Sequence, residues 1–455
     1  MRRQPVFSRE MNRRCAFGRH SKSSGSIRVK TRVVIIGNGI AGFSAGAAAR
    51  RMSPESEIVI ASSETEALYS PCVLPAYISG QINRERTYVK GFEDYARLQV
   101  EPHFGRVVQR VDADGRRIWL DDGKSLGFER LVLALGSSAV EIGGHKQGTF
   151  VVKSLGDADA IIKHQGRQAV VVGSGAIGIE VGIALKKRGY EVEILEAQSR
   201  ILPLGLDQRA AQRVQEALRE NGIDVALNEK ALLVVGETKI EGLKTDRREL
   251  KCDTIVWALG MKPNVGLART AGIRVGPKGG IEVNARMETS LPGVYACGDC
   301  VETNDLISGK TSLNLFWHNA NRQGRVAGCN SVGFPSDYLG SENMLNVDVF
   351  GRHVLGFGLT VSALKEGGMD SANISVIDDE KENTYSRLVF AENRCVGAQF
   401  LNPGRDAGLI WGLARQKKPI DRLLESLGKN EASNRRAFLM RVKPFFRGRD
   451  LVKAA

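Results

Sequence analysis

A single cysteine stands in the segment YSPCVLP, between a proline and a short apolar run. Pro75 is typical of the first turn of a helix and Gly80 of a helix end, which predicts that Cys72 lies at a helix N-terminus. Such a position stabilises a thiolate, which can attack a disulfide or a persulfide or cycle through a sulfenic acid. The competing interpretation is an inert thiol that packs as a small apolar residue.

The segment GNGIAG follows a β-branched run and opens a helix of small residues. Gly37 permits a tight turn, Gly39 lets the backbone approach a pyrophosphate, and Gly42 lets the helix pack closely on the strand. The helix N-terminus adds free N–H groups and a positive dipole. The next strand ends at Ser62, with Glu64 as the nearest acid, so the usual carboxylate contact to a ribose is expected to be weakened.

The same pattern recurs downstream as GSGAIG, with Gly173, Gly175 and Gly178 at the three glycine positions. Its second strand ends in Glu196, where a carboxylate binds the 2′-hydroxyl of an adenosine ribose. This carboxylate would repel a 2′-phosphate, which favours NADH over NADPH, although Arg200 lies close enough to soften the preference. Two such sites imply two dinucleotides, and we interpret them as a bound flavin and an exchangeable nicotinamide.

The net charge of +14 resides at the two ends of the chain, with +8 in residues 1–30 and +6 in residues 433–455. The body between them is neutral, so no nucleic-acid groove is expected. The first segment is predicted to be disordered, and either a transit peptide or a dispensable extension. The last is expected to be a solvated tail, and the alternative is a docking segment for an acidic partner or an anionic membrane surface.

The cysteines and the hydropathy pattern indicate a cytoplasmic protein. The seven cysteines are odd in number and scattered, and no signal peptide precedes them, which favours reduced thiols over a disulfide framework. No apolar run reaches the roughly 18 residues that cross a bilayer, so no transmembrane segment is expected.

Further motifs resemble those of the FAD-dependent pyridine nucleotide-disulfide oxidoreductase family. LVLALGS at 131–137 and IVWALGMKPN at 255–264 are similar to its two Ala-Thr-Gly-type motifs, with Leu135 replacing Thr in the first. ACGDC resembles the aspartate loop on the FAD ribityl chain, and NANRQGRVAG resembles the helix whose N-terminus faces the flavin pyrimidine. The resemblance runs in order from about 31 to 430.

The resemblance implies two sets of cofactor contacts and no metal site. FAD contacts are expected from Gly37, Gly39, Ile40, Ala41, Gly42, Ser62, Val108, Ala134, Gly136, Gly298, Asp299 and Ala320. NAD(P)H contacts are expected from Gly173, Gly175, Ile177, Gly178, Glu180, Glu196 and Gly260. Cys297 and Cys300 are interpreted as part of the aspartate loop without redox or metal function. His318 is expected to be packed or hydrogen-bonded, and the alternative is a proton donor.

The family has two branches, and the chain resembles the one with a single redox cysteine. The other branch uses a C-x-x-x-x-C dithiol and a C-terminal His-Glu pair, whereas Cys72 has no such partner and the C-terminal domain has only His353. The single-cysteine branch includes NADH oxidases, NADH peroxidases, coenzyme A-disulfide reductases and NADH:sulfur reductases. Val73 and Ala76 replace its usual glycine and aromatic in the presumed acceptor pocket, which leaves the acceptor open.

The predicted fold is α/β, with two Rossmann-like dinucleotide-binding domains and a C-terminal α+β dimerisation domain. The predicted divisions are a disordered basic extension (1–30), an FAD-binding domain in two parts (31–147 and 273–333), an NAD(P)-binding domain (148–272), an α+β interface domain (338–430) and a basic tail (431–455). The resemblance also implies a homodimer.

The expected function is that of an FAD-dependent NAD(P)H oxidoreductase. Hydride would pass from NADH to FAD and on, through Cys72, to a small disulfide, persulfide, sulfur or oxygen acceptor. One alternative is an electron-transfer subunit that exchanges electrons with a redox protein without using the cysteine. Another is a flavoprotein with little turnover that is kept for binding or signalling.

Overall fold

The computed structural model of the protein describes residues 30–144, 146–404, 407–417, 419 and 452–453. The predictions for the N-terminal extension and for the basic tail therefore lie outside the described residues, apart from Lys30 and the strand at 452–453. Within the described residues, two β-α-β units, around α1 and around α5, each build a parallel sheet, as predicted for an α/β fold.

The elements are numbered in chain order. The helices are α1 (Ile40–Met52), α2 (Leu74–Ile78), α3 (Phe92–Arg97), α4 (Leu155–Lys163), α5 (Ala176–Lys187), α6 (Gln208–Glu220), α7 (Gly266–Thr270), α8 (Trp317–Ser331), α9 (Val361–Glu366) and α10 (Ala407–Gln416). The first strands are β1 (Arg32–Ile36), β2 (Glu57–Ser62), β3 (Val100–Phe104), β4 (Val108–Asp112), β5 (Arg117–Leu120), β6 (Ser125–Gly127), β7 (Arg130–Leu133), β8 (Ser137–Ala139), β9 (Thr149–Val151), β10 (Gln168–Val172), β11 (Glu191–Glu196), β12 (Ile223–Leu227), β13 (Ala231–Val235) and β14 (Gly242–Thr245). The remaining strands are β15 (Glu249–Lys251), β16 (Thr254–Trp257), β17 (Met261–Pro263), β18 (Ile281–Glu282), β19 (Val294–Ala296), β20 (Val301–Asn304), β21 (Thr311–Ser312), β22 (Met344–Val349), β23 (Arg352–Gly358), β24 (Ile374–Glu380), β25 (Tyr385–Ala391), β26 (Arg394–Leu401) and β27 (Val452–Lys453).

The first parallel sheet has the strand order β19-β7-β1-β2-β3. Its central strand β1 is almost fully buried, as its β-branched run predicts, and pairs in parallel with β2 and β7. Because all five strands point the same way, their carboxyl ends meet at one edge of the sheet. Gly37, Ser62, Ala134 and Asp299 follow or end these strands, so residues far apart in sequence reach one edge.

The second parallel sheet, β12-β11-β10-β16-β9, repeats this design around the downstream glycine motif. Its carboxyl edge carries Gly173, Glu196 and Ala258. The two sheets are joined by an antiparallel pair formed by β8 and β17, the strands that follow the two Ala-Thr-Gly-type motifs. The pair is extended by Asn264, whose backbone N–H donates to the Gly136 carbonyl at 3.0 Å.

Helices α1 and α8 pack backbone against backbone. A Cβ added at Gly324 would overlap the carbonyl oxygen of Ala41, and one added at Gly328 would overlap that of Ala45. The spacing of four residues places both glycines on one face of α8, so the helices can approach more closely than ordinary side chains permit. This contact fixes the N-terminus of α8 beside the first glycine motif.

The C-terminal region forms one antiparallel sheet in the order β22-β23-β26-β25-β24-β27. Gln399 of β26 links it to the second parallel sheet's domain, since its side chain accepts from Asp207 N–H at 2.8 Å and donates to the Asp207 carboxylate at 2.7 Å. Both residues are buried. No helix in the described part of the chain has the length and apolar character of a membrane span.

The short helix α2 belongs to a core that it shares with the second parallel sheet's domain and the C-terminal sheet. Leu74 and Ile78 of α2 are fully buried in one cluster with Val181 of α5, Val347 of β22 and Leu401 of β26. The residues before α2 are therefore fixed at the meeting point of three regions.

The close contact between α1 and α8 predicts a stability effect at Gly324. Gly324→Ala forces a methyl group into the Ala41 carbonyl, and we expect it to lower the free energy of unfolding by about 1–3 kcal/mol and to weaken flavin retention. Gly412→Ala is the matched control, because its added Cβ meets no atom within 4 Å in the described part of the chain. Thermal unfolding and flavin content measure both effects. Equal behaviour of the two variants would contradict the packing argument.

Candidate active site

The first glycine motif forms a cradle beside the end of β7. Gly37 has φ of 110° and lies so close to the Ala134 carbonyl that no side chain fits there. Gly42 is closed in the same way by the carbonyl of Gly37. In contrast, a Cβ built on Gly39 meets no atom within 4 Å in the described part of the chain. Two glycines thus serve close packing, and the third leaves open space where a ligand would lie.

The second motif repeats this arrangement residue by residue. Gly173 has φ of 105° and lies against the Ala258 carbonyl, while Gly178 lies against the carbonyl of Gly173. A Cβ on Gly175 again meets nothing within 4 Å in the described region. In both motifs, the first and third glycines make close backbone contacts and the second faces open space, which agrees with the roles predicted from the sequence.

Three helices in this region begin without a side-chain cap. Gly39 precedes α1, Gly175 precedes α5 and Phe316 precedes α8, and the first turn of each helix contains no acid. By comparison, α4 begins with a capping box in which Ser154 and Asp157 bond each other's backbone. Uncapped N–H groups and a positive helix end suit an anionic group. The N-termini of α1 and α5 therefore suit the pyrophosphate groups of dinucleotides, and the residues present fit FAD and NAD(P)H.

Asp299 lies at the carboxyl end of β19, held by two donors. Its Oδ2 accepts from the Ser137 hydroxyl at 2.8 Å and from Lys153 Nζ at 3.1 Å. Lys153 Nζ also lies 3.0 Å from the Ser137 hydroxyl. The sequence did not indicate Lys153, because its contact with Asp299 spans 146 positions of the chain. No motif in the residues around Lys153 indicates its contact with Asp299.

Cys72 lies in a 3-10 turn, Pro71–Val73, that runs directly into α2. Pro75 lies in the first turn of α2 and Gly80 follows its end with φ of 79°, as predicted. The thiol is exposed, yet its surroundings still remove enough water to raise its pKa. The direction is opposite to the one expected for a cysteine at a helix start, and desolvation is its largest cause.

Charged groups from three separate segments act on the pKa of Cys72. A hydrogen bond from Ser70 lowers the pKa of Cys72, Glu180 and Asp299 raise it, and Lys153 lowers it. Glu180 lies on α5, and burial, with a smaller effect of Asp348, raises its pKa to about 7. The pKa of the thiol thus depends on a carboxyl group that titrates near neutrality and on the Asp299–Lys153 pair.

Glu196 is buried and held in one orientation. Its Oε2 accepts from the backbone N–H of Ser174 at 3.0 Å and from the Ser174 hydroxyl at 2.6 Å. Its Oε1 accepts from the Gln198 N–H at 2.9 Å. From the sequence, Arg200 is expected to soften the preference for NADH over NADPH. In the structure, Arg200 donates within its own loop, at 2.9 Å to the Leu206 carbonyl and at 3.0 Å to the Pro203 carbonyl.

Apart from Val108, the other predicted contact residues lie along these two cradles. Ile40 and Ala41 are in the first turn of α1, Ile177 is in the first turn of α5, and Glu180 lies just beyond that turn. Gly136 and Gly260 have φ of 67° and 98°, Gly298 lies against Ala41, and Ala320 is on α8. Ser62 is buried, and its hydroxyl oxygen accepts from the Glu64 N–H at 3.3 Å. Val108 points into the core beneath the first sheet.

Cys297 and Cys300 are fully buried, and burial raises the pKa of both thiols. Burial also lowers the pKa of His318, and its Nε2 is buried without a hydrogen-bond partner among the described residues. These surroundings agree with inert packing of the two cysteines. Within the described residues, no group of three or more His, Cys, Asp or Glu side chains is placed to hold a metal ion.

The groups around Cys72 predict opposite effects of two substitutions on its reactivity. Glu180→Gln removes a negative charge, so the pKa of Cys72 should fall, whereas Lys153→Gln removes a positive charge, so it should rise. The pH at which iodoacetamide labels the Cys72 peptide at half its maximal rate, followed by mass spectrometry, measures both. Shifts in the same direction would contradict the arrangement described here.

Comparisons with known proteins agree with this geometry. Residues 31–324 match the family model described as pyridine nucleotide-disulphide oxidoreductase. An NADH oxidase of Methanocaldococcus jannaschii is 36% identical over 343 residues, which cover 72% of this chain and 76% of that protein. The assimilatory nitrate reductase electron transfer subunit of Bacillus subtilis is 29% identical, and the match covers 88% of this chain but only 49% of that longer protein.

A solved structure extends the similarity to three dimensions. The NAD-dependent persulfide reductase from A. fulgidus superposes with a TM-score of 0.80 at 29% identity, covering 87% of this chain and 78% of that one. The family match spans more than half of the 455 residues, including both glycine motifs and the Asp299 loop. This chain therefore belongs to the pyridine nucleotide-disulphide oxidoreductase family.

Proposed function

We propose that this protein is an FAD-dependent NADH oxidoreductase that delivers electrons through Cys72 to a small sulfur acceptor, such as a disulfide or a persulfide. The observation that carries the proposal is the position of Cys72. It is an exposed thiol in the turn before α2, and α2 packs in one cluster with α5, the helix of the second glycine motif. Glu180 on α5 and Asp299 in the loop beside the first motif both raise its pKa. A thiol between the two cradles is placed to pass electrons outward.

Each cradle would hold one cofactor. The residues around Gly37, Gly39 and Asp299 would bind FAD, and those around Gly175 and Glu196 would bind NADH. When bound, FAD supplies a carrier that takes two electrons as hydride from NADH. The chain supplies the uncapped helix ends for the pyrophosphates and the carboxylates for the sugar hydroxyls.

The thiolate of Cys72 would attack one sulfur of the acceptor disulfide and expel the other as a thiolate. A mixed disulfide with Cys72 results, and two electrons from NADH then restore the cysteine and release the second product thiol. Because the pKa of Cys72 is raised in this structure, a nearby group has to help remove its proton. Glu180, with a pKa of about 7, is suited to this task at neutral pH.

The relatives support this class of reaction. The A. fulgidus protein is an NAD-dependent persulfide reductase, and the M. jannaschii protein is an NADH oxidase. Both names describe transfer from a nicotinamide to a small acceptor. The proposal names a sulfur acceptor because the exposed thiol of Cys72 is accessible to a disulfide or a persulfide.

An electron-transfer role is the second candidate, and the raised pKa of Cys72 favours it. A cysteine that stays protonated at neutral pH is a poor nucleophile, so electrons would go to a redox protein instead. The similarity to an electron transfer subunit covers most of this chain, although the chain spans only about half of that relative.

A homodimer formed through the C-terminal sheet is part of the same proposal. It rests on the family resemblance. Light scattering of the purified protein should give about twice the 49.6 kDa of one chain. A monomer at micromolar concentration would contradict this part alone and would leave the redox proposal standing.

The redox proposal predicts a yellow protein that bleaches when NADH is added without oxygen. Cys72→Ser should keep this bleaching but lose reduction of a persulfide or a small disulfide by at least about a hundredfold, because the nucleophile is removed. Cys329→Ser is the matched control, since Cys329 is a partly buried thiol on α8. It should retain full activity.

Three results would contradict the proposal or replace it with the electron-transfer alternative. A protein without flavin, or one that NADH does not bleach, would exclude both redox functions. Full sulfur reduction by Cys72→Ser would show that electrons bypass the thiol. Reduction of a redox protein such as a ferredoxin, at equal rates in the wild type and Cys72→Ser, would establish the electron-transfer alternative.

A further inference from the structure

We propose that Ser174 is a specificity-determining residue that positions Glu196 so that the second cradle accepts NADH and excludes NADPH. The inference deepens the proposed function and rests on it, because it assumes that this cradle binds the nicotinamide dinucleotide. The sequence identified Glu196 as the discriminating carboxylate but gave no role to Ser174, the variable residue between the two glycines.

Ser174 contacts Glu196 twice, through its backbone and its side chain. The N–H and the hydroxyl both donate to Oε2, at 3.0 Å and 2.6 Å. Ser174 is fully buried, so water cannot easily replace its hydroxyl as a donor. The two bonds occupy Oε2 and fix the plane of the carboxylate.

The remaining oxygen of Glu196 is the one available to a ribose. Oε1 accepts one hydrogen bond, from the Gln198 N–H at 2.9 Å. A carboxylate oxygen can accept two, so Oε1 can also accept from a sugar hydroxyl. A 2′-phosphate has no hydrogen to donate at this point in its charged form, and it would meet a fixed negative charge.

Two nearby arginines make their hydrogen bonds to groups other than the Glu196 carboxylate. Arg200 donates from two nitrogens to the Leu206 and Pro203 carbonyls, which holds its guanidinium in its own loop. Arg248 is paired with Glu193 and with Glu229, the second at 3.0 Å. The Glu229 N–H also donates to the backbone carbonyl of Glu196, so this paired cluster directly adjoins the discriminating residue.

The experiment measures binding of ADP-ribose and of its 2′-phosphate to the flavin-loaded protein by calorimetry, without turnover. Ser174→Ala should weaken ADP-ribose binding about three- to tenfold. It should also strengthen 2′-phosphate binding, because the released carboxylate can turn away from the added charge. The selectivity ratio, which is the dissociation constant of the 2′-phosphate divided by that of ADP-ribose, therefore falls. Ser331→Ala, which removes another buried hydroxyl whose bond to the Gly328 carbonyl is 2.9 Å, should leave the ratio unchanged.

A double-mutant cycle separates positioning from a general loss of structure. If Ser174 acts through Glu196, Ser174→Ala should have almost no effect on the ratio in a Glu196→Gln background. An equal effect in both backgrounds would overturn the proposal. Glu196→Gln alone tests the carboxylate even if Ser174→Ala folds poorly, since it should strengthen 2′-phosphate binding, and failure to do so would also overturn it.

Arg200→Gln tests the competing explanation. Our inference predicts an unchanged ratio, because any disturbance of the loop affects both ligands alike. Selective loss of 2′-phosphate binding would assign specificity to Arg200 and reject the role of Ser174. A wild-type protein that NADH bleaches, but whose ratio is insensitive to Ser174→Ala, would refute this inference alone. Failure of the wild type to bind ADP-ribose would refute the proposed function.

Discussion

The structure depends on backbone contacts that leave no room for a side chain. Gly37 lies on the Ala134 carbonyl, Gly173 lies on that of Ala258, and Gly324 lies on that of Ala41. The first two contacts join a helix-forming turn to a neighbouring strand end, and the third fixes α8 against α1. Together they set where the uncapped helix ends point. A methyl group at any of these positions would displace a cofactor cradle rather than a single side chain.

Electrostatics rather than helix geometry governs the candidate catalytic thiol. The turn before α2 places Cys72 at a helix start, which alone would favour the thiolate. Desolvation and the negative charges of Glu180 and Asp299 act in the opposite direction and prevail, although Ser70 and Lys153 lower the pKa. The pKa of the cysteine therefore depends on groups from distant segments of the chain.

The two cradles have the same backbone design but differ in the side chains that meet the sugar. The first ends its second strand with Ser62, whose hydroxyl oxygen accepts from the Glu64 N–H. The second ends with a buried carboxylate that three donors hold in place. A rigid carboxylate selects between ligands that differ by one phosphate, because it cannot turn away from the added charge.

The sequence by itself determined the family, the two parallel sheets and the glycine cradles, because these depend on short motifs whose spacing reflects local geometry. It also placed Pro75, Gly80 and Glu196 correctly, since each lies at the end of a local element. Only the tertiary structure decided the contact of Lys153 with Asp299, the confinement of Arg200 in its own loop and the raised pKa of Cys72. The contact of Lys153 and the pKa of Cys72 depend on residues brought together from distant segments, whereas the Arg200 bonds are local and depend on how its loop folds. The balance of desolvation and charge where distant segments meet has no signature in local sequence.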